Sequence, residues 1–501
     1  MRIRSRHLLP LALLSAASLH AQADVRRAAE GIREPSLRAR VEWLAGDAMR
    51  GRATPGAELE AAADSIAAIF RRAGLRAAGD SGSYIQRFAF YATCVPASER
   101  RFAMQADGRR TEWRYGADYF SFAASTAVEG EAVYVGPALP QPQPLSEGAR
   151  GRIAVFHLAG SPVDGFPVMS GAVLSAVRAG ATGLLFVLDP AMDADSIAWF
   201  AQQVEATNPL VSIPVSVIRA DAADSIFRAA GLDDGALRAR SSTTPLPLPG
   251  VQLSMAAPAR TVSVAAQNVV AVLPGSDPAR RDEYVVLTAH FARAGVGRAD
   301  ARGDSIYNGA DDSASGTAAL LAAAEAFGRL RMAPARSIVF LAVSGEERNL
   351  RGSAHWAAHP TVAGGRVVAN INLDMRGRNA PGTLTVLGQE YSSLGETVAR
   401  ANAAHPELGF QLPSDVDDAL HGFARGDHAS FVRAGVPALF LTALDRPDDH
   451  HVTDDPMRLN TEKLTRVARL LFYTVHAAAS EPALIGWYAG GQARALEAAT
   501  R

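Results

Sequence analysis

The chain has 501 residues, of which 48% are hydrophobic, a fraction typical of an ordinary globular protein with a real core. Because a single core rarely grows beyond about 250–300 residues, this length predicts more than one folded unit. Basic and acidic side chains number 50 and 51, so the balance of charge argues against nucleic acid or an anionic membrane surface as a partner.

The first residues have the layout of a secretory signal peptide. Arginines at positions 2, 4 and 6 precede an apolar run at 8–19, and Ala21-Gln22-Ala23 supplies a small-x-small cleavage site. We therefore predict that residues 1–23 are removed and that the protein is exported, either to the periplasm or out of the cell. The run is too short to span a bilayer, and no later run approaches about 20 apolar residues, so we expect no transmembrane segment in the mature chain. A short buried helix is the alternative.

Two regions lie between the predicted signal peptide and the region that carries the chemistry. Residues 24–122 open with helical patterning, in which apolar side chains recur at helical spacing, as from Leu37 to Leu44. Residues 123–250 alternate β-rich runs with helices, and their last part, Ser241–Gly250, is rich in proline and predicts a connector. The predicted elements of this second region are strands at 132–135, 153–158, 183–188 and 211–217 and a helix at 170–179.

Residues 251–480 alternate strands with helices, which predicts an α/β fold with a mixed, mostly parallel sheet flanked by helices. The β-rich region 123–250 comes before this fold as a separate region, and residues 481–501 form a peripheral C-terminal tail. The predicted elements are strands at 269–272, 284–289, 337–343, 368–373, 383–387 and 438–441 and helices at 317–330 and 461–478.

Polar side chains follow three of these predicted strands at the point where each strand ends. His290 follows the first, Glu346 and Glu347 follow the second, and Asp374 follows the third. Ligands in open α/β sheets bind outside the carboxyl ends of the strands, so we expect these side chains to converge on one crevice.

The residue types at the strand ends favour metal chemistry over a covalent nucleophile. The sequence contains no G-x-S-x-G elbow, and Cys94, the only cysteine, lies in an apolar stretch typical of a buried side chain. Histidine and carboxylates together suit zinc, and bound cations would offset the repulsion between close carboxylates. Two ions that share one carboxylate would use five ligand residues and leave a further carboxylate to act on a metal-bound water.

At this point the residues become recognisable, because the segment from about Gln267 to Ala479 resembles the M28 family of di-zinc aminopeptidases. The region before it is similar to the protease-associated (PA) domain that is inserted in several secreted members. The resemblance thus covers most of the mature chain and implies a zinc-dependent aminopeptidase with peptide substrates. The matching motifs, in chain order, are Met49–Arg52, Tyr84–Gln86, Thr288–His290, Asn308–Gly316, Ser344–Ser353, Asn372–Met375, Gly426–Phe431 and His450–Asp455.

The resemblance implies a role for each matching residue. One zinc ion would be held by His290 and Asp374, the other by Glu347 and His451, and Asp312 would bridge the two. A further residue, Glu346, would act as the general base that takes a proton from the metal-bridging water and returns it to the leaving amine.

Some of these assignments have alternatives within the sequence. Asp312 has the D-x-x-S-G spacing of the family, but its neighbour Asp311 stays open as the bridging ligand. His451 is preferred over His450 because the family pattern has an aspartate three positions after the ligand, where Asp454 stands.

Other polar residues are expected around the ligands rather than among them. Asp454, Asp427 and His428 are predicted to surround and support the metal ligands. The role of His421 stays open.

One position departs from the family pattern. An aspartate two residues after the first ligand normally accepts a hydrogen bond from its imidazole, but here that residue is Ala292, followed by Arg293. Loss of such a carboxylate typically costs about 10–100-fold in metal affinity or activity. Asp300 or Asp304 is a possible substitute from elsewhere in the chain.

The sequence therefore predicts an aminopeptidase, with two kinds of alternative. Within the same fold, a carboxypeptidase or a dipeptidase would use the same ligands. From another class, the chain would be a metal-retaining binding protein whose catalysis the change at Ala292 has silenced.

Overall fold

The computed structural model describes residues 9–139, 145, 147–158, 162–192, 196–197, 211–240, 242, 244–362, 364–374, 377–378, 380–414, 422–442, 448 and 450–500. The α-helices are α1 (Leu9–Glu30), α2 (Glu34–Leu44), α3 (Ala57–Arg72), α4 (Pro162–Arg178), α5 (Ala220–Ala229), α6 (Asp234–Arg238), α7 (Gly316–Gly328), α8 (Arg351–Ala358), α9 (Leu394–Ala404), α10 (His428–Arg433), α11 (Thr461–Ser480) and α12 (Gly491–Ala498). The strands are β1 (Arg76–Ala77), β2 (Ile85–Cys94), β3 (Arg101–Ala106), β4 (Arg109–Glu112), β5 (Tyr119–Ser121), β6 (Val128–Pro137), β7 (Ile153–His157), β8 (Gly183–Val187), β9 (Val215–Ile218), β10 (Leu246–Ala256), β11 (Arg260–Leu273), β12 (Glu283–His290), β13 (Gly295–Val296), β14 (Ile306–Tyr307), β15 (Ser337–Val343), β16 (Arg366–Leu373), β17 (Thr385–Leu387) and β18 (Ala438–Thr442).

The chain folds into two compact units. The first contains residues 1–90, 265–297 and 306–501, and the second contains residues 91–264 and 298–305. Among the residues that the structure describes, no helix combines the length and the apolar character needed to cross a bilayer.

The first unit is built on an eight-stranded mixed sheet. Its strand order is β1-β11-β15-β12-β16-β18-β17, and β2 also pairs with β11. The four central strands, β15, β12, β16 and β18, run parallel, whereas β1, β11 and β17 pair antiparallel at the two sides. The predicted mixed, mostly parallel α/β sheet is therefore confirmed.

Both faces of this sheet are covered, which is why its strands read as continuous apolar runs. Along β12, Val285 and Leu287 belong to the core on one face, whereas Val286 belongs to the core on the other. The first core is closed by α2, α3, α7 and α11, and Phe327 of α7 lies 4.5 Å from Phe472 of α11 between ring centroids. Parallel strands buried on both faces place their carboxyl ends at one edge, where the polar residues follow.

The predicted elements of this unit are present, mostly with shifts of one or two residues at their ends, but the strand predicted at 269–272 is part of the much longer β11, Arg260–Leu273. The strand predicted at 337–343 has the same bounds as β15, and the helix predicted at 461–478 corresponds to α11. The C-terminal tail is more ordered than predicted, because it contains α12, in which Ala495 is fully buried.

The second unit contains its own eight-stranded sheet, in the order β4-β3-β10-β6-β7-β8-β9-β5. The main segment of this unit begins earlier and ends later than predicted, at residues 91 and 264 instead of 123 and 250. It begins earlier because β3 and β4 extend the same sheet before residue 123. The connector predicted at Ser241–Gly250 is wrong from Leu246 onward, where β10 begins and pairs with both β3 and β6. The likeness of this unit to a PA domain stays a prediction.

Candidate metal centre

The ends of the central strands bring the predicted site residues together. His290 is the last residue of β12 and stands beside Val343, the last residue of β15, in the parallel register. Glu346 and Glu347 follow β15 after the turn at Gly345, whose φ is +69°. Asp374 follows the end of β16 on the other side of β12. The convergence expected from the sequence is therefore present.

Two groups of described side chains have ligand atoms within 4.8 Å of one another, one formed by His290, Glu346 and Asp374 and the other by His290, Asp312 and Glu347, and His290 is common to both. Nε2 of His290 lies 3.1 Å from Oδ1 of Asp312 and 3.3 Å from Oδ1 of Asp374. Ligand atoms about 2.0–2.1 Å from a tetrahedral zinc ion are separated from each other by about 3.3 Å, so this spacing fits. Nε2 of His290 and Oδ1 of Asp374 are also buried without a hydrogen bond of good geometry, as expected of atoms that face a cation. We call these residues, His290, Asp312 and Asp374, the first cluster.

The imidazole of His290 is oriented by the backbone instead of a carboxylate. Its Nδ1 lies 3.0 Å from the carbonyl oxygen of Ala292, which leaves Nε2 facing the carboxylates. Asp300 is engaged in its own loop, where Oδ1 accepts hydrogen bonds from the backbone N–H groups of Arg302 and Asp304. The backbone carbonyl of Ala292 thus takes the place of the missing aspartate as the hydrogen-bond acceptor for His290.

The turn before α7 separates the two candidates for the bridging carboxylate. Asp312 enters the first cluster, whereas Oδ1 of Asp311 accepts a hydrogen bond of 2.6 Å from the backbone N–H of Gly377. Burial next to Asp454 raises the pKa of Asp311 to about 7. The structure therefore favours Asp312 as the shared ligand and gives Asp311 a structural position.

Asp454 holds this turn in place, which agrees with the supporting role expected for it. Its carboxylate accepts hydrogen bonds from the backbone N–H groups of Asp311, at 2.9 and 3.1 Å, and Asp312, at 3.0 Å. Arg378 donates a further bond of 3.3 Å to the same carboxylate.

The second predicted metal position is formed with a different histidine. Nε2 of His450 lies 3.6 Å from Oδ2 of Asp312 and 3.5 Å from Oε2 of Glu347. Neither His450 nor His451 belongs to the two groups of metal-capable side chains found among the described residues, so these two distances of His450 are what distinguishes it. His450 has a left-handed backbone with φ of +58°, and its imidazole is the one that faces the two carboxylates. The geometry therefore favours His450 over the predicted His451 at this position. We call His450, Asp312 and Glu347 the second cluster.

A guanidinium group also lies in the second cluster. Nη1 of Arg293 is 3.1 Å from Oδ2 of Asp312 and makes a very short contact with Oε1 of Glu347. The side chain of Arg293 is fully buried. The sequence marks Arg293 only as the residue that follows Ala292, and it does not predict this contact.

The remaining predicted residues lie close to the first cluster. A carboxylate oxygen of Glu346 lies within 4.8 Å of metal-capable atoms of both His290 and Asp374. Burial, reinforced by neighbouring carboxylates, raises the pKa of Glu346 well above its ordinary value. Asp427 is also buried, and burial raises its pKa to about 6.

His428 packs as an aromatic ring beside the site. It is stacked on Phe440 at 4.5 Å between centroids and contacts Phe423 edge-on at 4.5 Å. Burial lowers the pKa of His428 to about 3, so the ring stays neutral. His421 and Met375, which the sequence analysis also considered, lie outside the described residues.

One residue of the upstream motif has a role that the sequence did not reveal. Arg52 is fully buried, and its guanidinium donates hydrogen bonds to the carbonyl oxygens of Phe291, at 2.8 Å, and Asn308, at 3.0 Å. Arg52 thereby ties the segment after His290 to the segment before Asp312. Its place in the motif Met49–Arg52 was the one feature of the sequence that pointed to a role for Arg52.

Comparison with known proteins agrees with this arrangement. Residues 268–475 match the model of peptidase family M28. A probable zinc metalloprotease of Pyricularia oryzae is 30% identical over 227 residues, which are 38% of this chain and 42% of that protein. The chain spans less than half the length of the first curated relatives it matches.

Two solved structures share the fold over nearly their whole length. An aminopeptidase from Aneurinibacillus sp. strain AM-1 superposes with a TM-score of 0.60 at 18% identity, covering 92% of this chain and 97% of that one. A zinc aminopeptidase from Bacillus subtilis gives a TM-score of 0.59 at 17% identity, covering 90% and 96%. At these identities, the likeness establishes the fold.

Proposed function

We propose that the chain, whose residues 268–475 match the model of peptidase family M28, is a member of that family of hydrolases and a zinc-dependent aminopeptidase that removes N-terminal residues from peptides. The observation that carries the proposal is the first cluster, in which Nε2 of His290 lies at zinc-ligand spacing from one oxygen of Asp312 and from one oxygen of Asp374 at the end of a parallel sheet. The names of the two structural neighbours support the choice of an aminopeptidase.

Zinc bound by His290, Asp312 and Asp374 would polarise the scissile carbonyl and lower the pKa of water. The chain's own residues position this chemistry. The backbone carbonyl of Ala292 fixes the ring of His290, and Asp454 fixes the backbone of Asp312. The expected count of two zinc ions is a separate question, because a guanidinium shares the oxygens of the second cluster.

Glu346 is the residue that we assign to proton transfer. One of its carboxylate oxygens lies within 4.8 Å of His290 and Asp374. The close contacts of His290, at 3.1 and 3.3 Å, are with Asp312 and Asp374. The raised pKa of Glu346 suits a carboxylate that accepts a proton from water and donates it to the leaving amine.

The test compares free and N-acetylated aminoacyl-p-nitroanilides with the purified, zinc-supplied protein. We expect hydrolysis of the free-amine substrates only. E346Q should lower kcat by about 100–10,000-fold while zinc content stays unchanged, since proton transfer contributes roughly this much. The matched control is E462Q, because the side chain of Glu462 is 77% exposed, and it should behave as wild type.

Three results would count against the proposal. Absence of hydrolysis of any aminoacyl or dipeptide substrate contradicts enzymatic activity, and unchanged kcat in E346Q contradicts the assigned base. Preference for N-blocked substrates would instead indicate the carboxypeptidase alternative. We also propose export of the protein, for which the arginines, apolar run and Ala21–Ala23 are the support.

A metal-retaining binding protein is the second candidate, favoured by the absence of the usual aspartate at Ala292. A292D separates the two candidates. A large gain in turnover indicates an impaired enzyme, and absence of turnover in both forms indicates a binding role. Because Nδ1 of His290 already has an acceptor at 3.0 Å, we expect measurable turnover in the wild type.

A further inference from the structure

The guanidinium of Arg293 stands where the second cluster would hold its ion. Its Nη1 contacts one oxygen of Asp312 and one oxygen of Glu347. Oδ2 of Asp312 is the oxygen that also faces Nε2 of His450, whereas His450 faces the other oxygen of Glu347, Oε2, so the guanidinium occupies one of the oxygens that a second zinc ion would share with His450. An ion bound to Oδ2 of Asp312 would lie within about 5 Å of the guanidinium.

The backbone and the stem of Arg293 are built to hold this position. The backbone N–H of Arg293 donates a hydrogen bond of 3.1 Å to the carbonyl of Arg52, and the residue forms a β-bridge with Ala53. The aliphatic part of its side chain runs over Gly309, which has φ of +62°. A Cβ atom at Gly309 would come within 2.7 and 2.9 Å of Cγ and Cδ of Arg293, so a larger residue there would displace the stem.

The charge of this group is permanent. Arginine stays protonated in proteins, so it cannot make room for a metal by releasing a proton, as a histidine or cysteine can. Two carboxylates that are buried without a cation would also be costly, and the guanidinium already provides that cation. A second zinc ion would therefore have to displace a buried, hydrogen-bonded positive charge.

We propose that Arg293 takes the place of the second zinc ion, so that this chain binds one zinc ion, at His290, Asp312 and Asp374. The inference rests on the metal-binding part of the proposed function. Asp312 then bridges a zinc ion and a guanidinium instead of two zinc ions, and Glu347 serves as a partner of Arg293 instead of a ligand.

The test is the zinc stoichiometry of the full chain after removal of metals with EDTA. Zinc alone is titrated in by calorimetry, and native mass spectrometry counts the bound ions. We expect one ion in the wild type. R293M keeps a long apolar stem over Gly309 but removes the charge, and it should bind a second ion at least about 100-fold more tightly than the wild type does. R293K keeps a cation and should stay at one ion.

Each result distinguishes this inference from the proposed function. Two tightly bound ions in the wild type overturn the role of Arg293 and leave the peptidase proposal intact, and this result does not depend on how R293M folds. One ion in both the wild type and R293M also overturns it. One ion in the wild type without peptidase activity contradicts the proposed function alone, and absence of bound zinc contradicts both.

Discussion

The carboxylate of Asp454 offers a direct test of how the shared ligand is held. It is buried, and it accepts the backbone N–H groups of Asp311 and Asp312 together with a hydrogen bond from Arg378. D454N keeps the size of the side chain but replaces one acceptor oxygen with an N–H donor. If the new amide nitrogen takes the place of Oδ2, the backbone N–H of Asp312 faces a donor, and if it takes the place of Oδ1, the guanidinium of Arg378 does, so one buried donor loses its partner in either orientation.

The expected cost follows from these contacts. A buried N–H group without an acceptor costs about 1–3 kcal/mol, and the remaining bonds lose the charge that strengthens them. We therefore expect D454N to lower the free energy of unfolding of the metal-free protein by about 3 kcal/mol. Because the same bonds fix Asp312, we expect zinc affinity to fall by about 10–100-fold, as for other residues that orient metal ligands.

The measurement combines urea unfolding after EDTA treatment with zinc affinity from chelator competition. D455N is the matched control, because the bonds to the Asp311–Asp312 backbone come from Asp454 and not from its neighbour. It should change stability by no more than about 0.5 kcal/mol. If D454N binds zinc as tightly as D455N does, Asp454 does not position the ligand.

Two further predictions concern the neighbouring histidines. In the R293M background, H450N should abolish binding of the second zinc ion in a calorimetric titration, whereas H451N should leave it; the reverse result would restore His451 as the ligand. His428 is neutral in the fold, with a pKa of about 3 against an ordinary value of 6.5, so the unfolded chain takes up a proton first as pH falls. Stability is then lost as pH falls below about 6.5, by about 2 kcal/mol at pH 5, and the loss should be absent in H428F, which keeps the stacking on Phe440. Equal pH dependence of urea unfolding in the two EDTA-treated proteins would refute it.

The sequence by itself determined the sheet and the place of the site. Strands buried on both faces are mostly apolar, so charged or titratable residues that follow such a run indicate its end, as at His290 and Asp374. The parallel pairing of β12, β15 and β16 then brings these ends to one edge. The family spacing favoured Asp312 over Asp311 but left both open, and the contacts of the two side chains in the structure support Asp312.

The boundaries of the second unit required the tertiary structure. The strands β3 and β4 are short and partly exposed and pair with each other, and β3 also pairs with β10, which lies more than 130 residues further along the chain. Local patterning cannot show such a pairing. The same holds for β10, whose prolines favoured a connector until its partners were known.

Only the tertiary structure decided which side chains fill the second cluster. Whether His450 or His451 faces Glu347 depends on the left-handed backbone at His450, and adjacent residues point in different directions. The position of Arg293 depends on Gly309 beside its stem, sixteen residues away in the chain. Packing between segments that are distant in the chain sets these side-chain directions and contacts. The residues next to each position in the sequence therefore do not predict them.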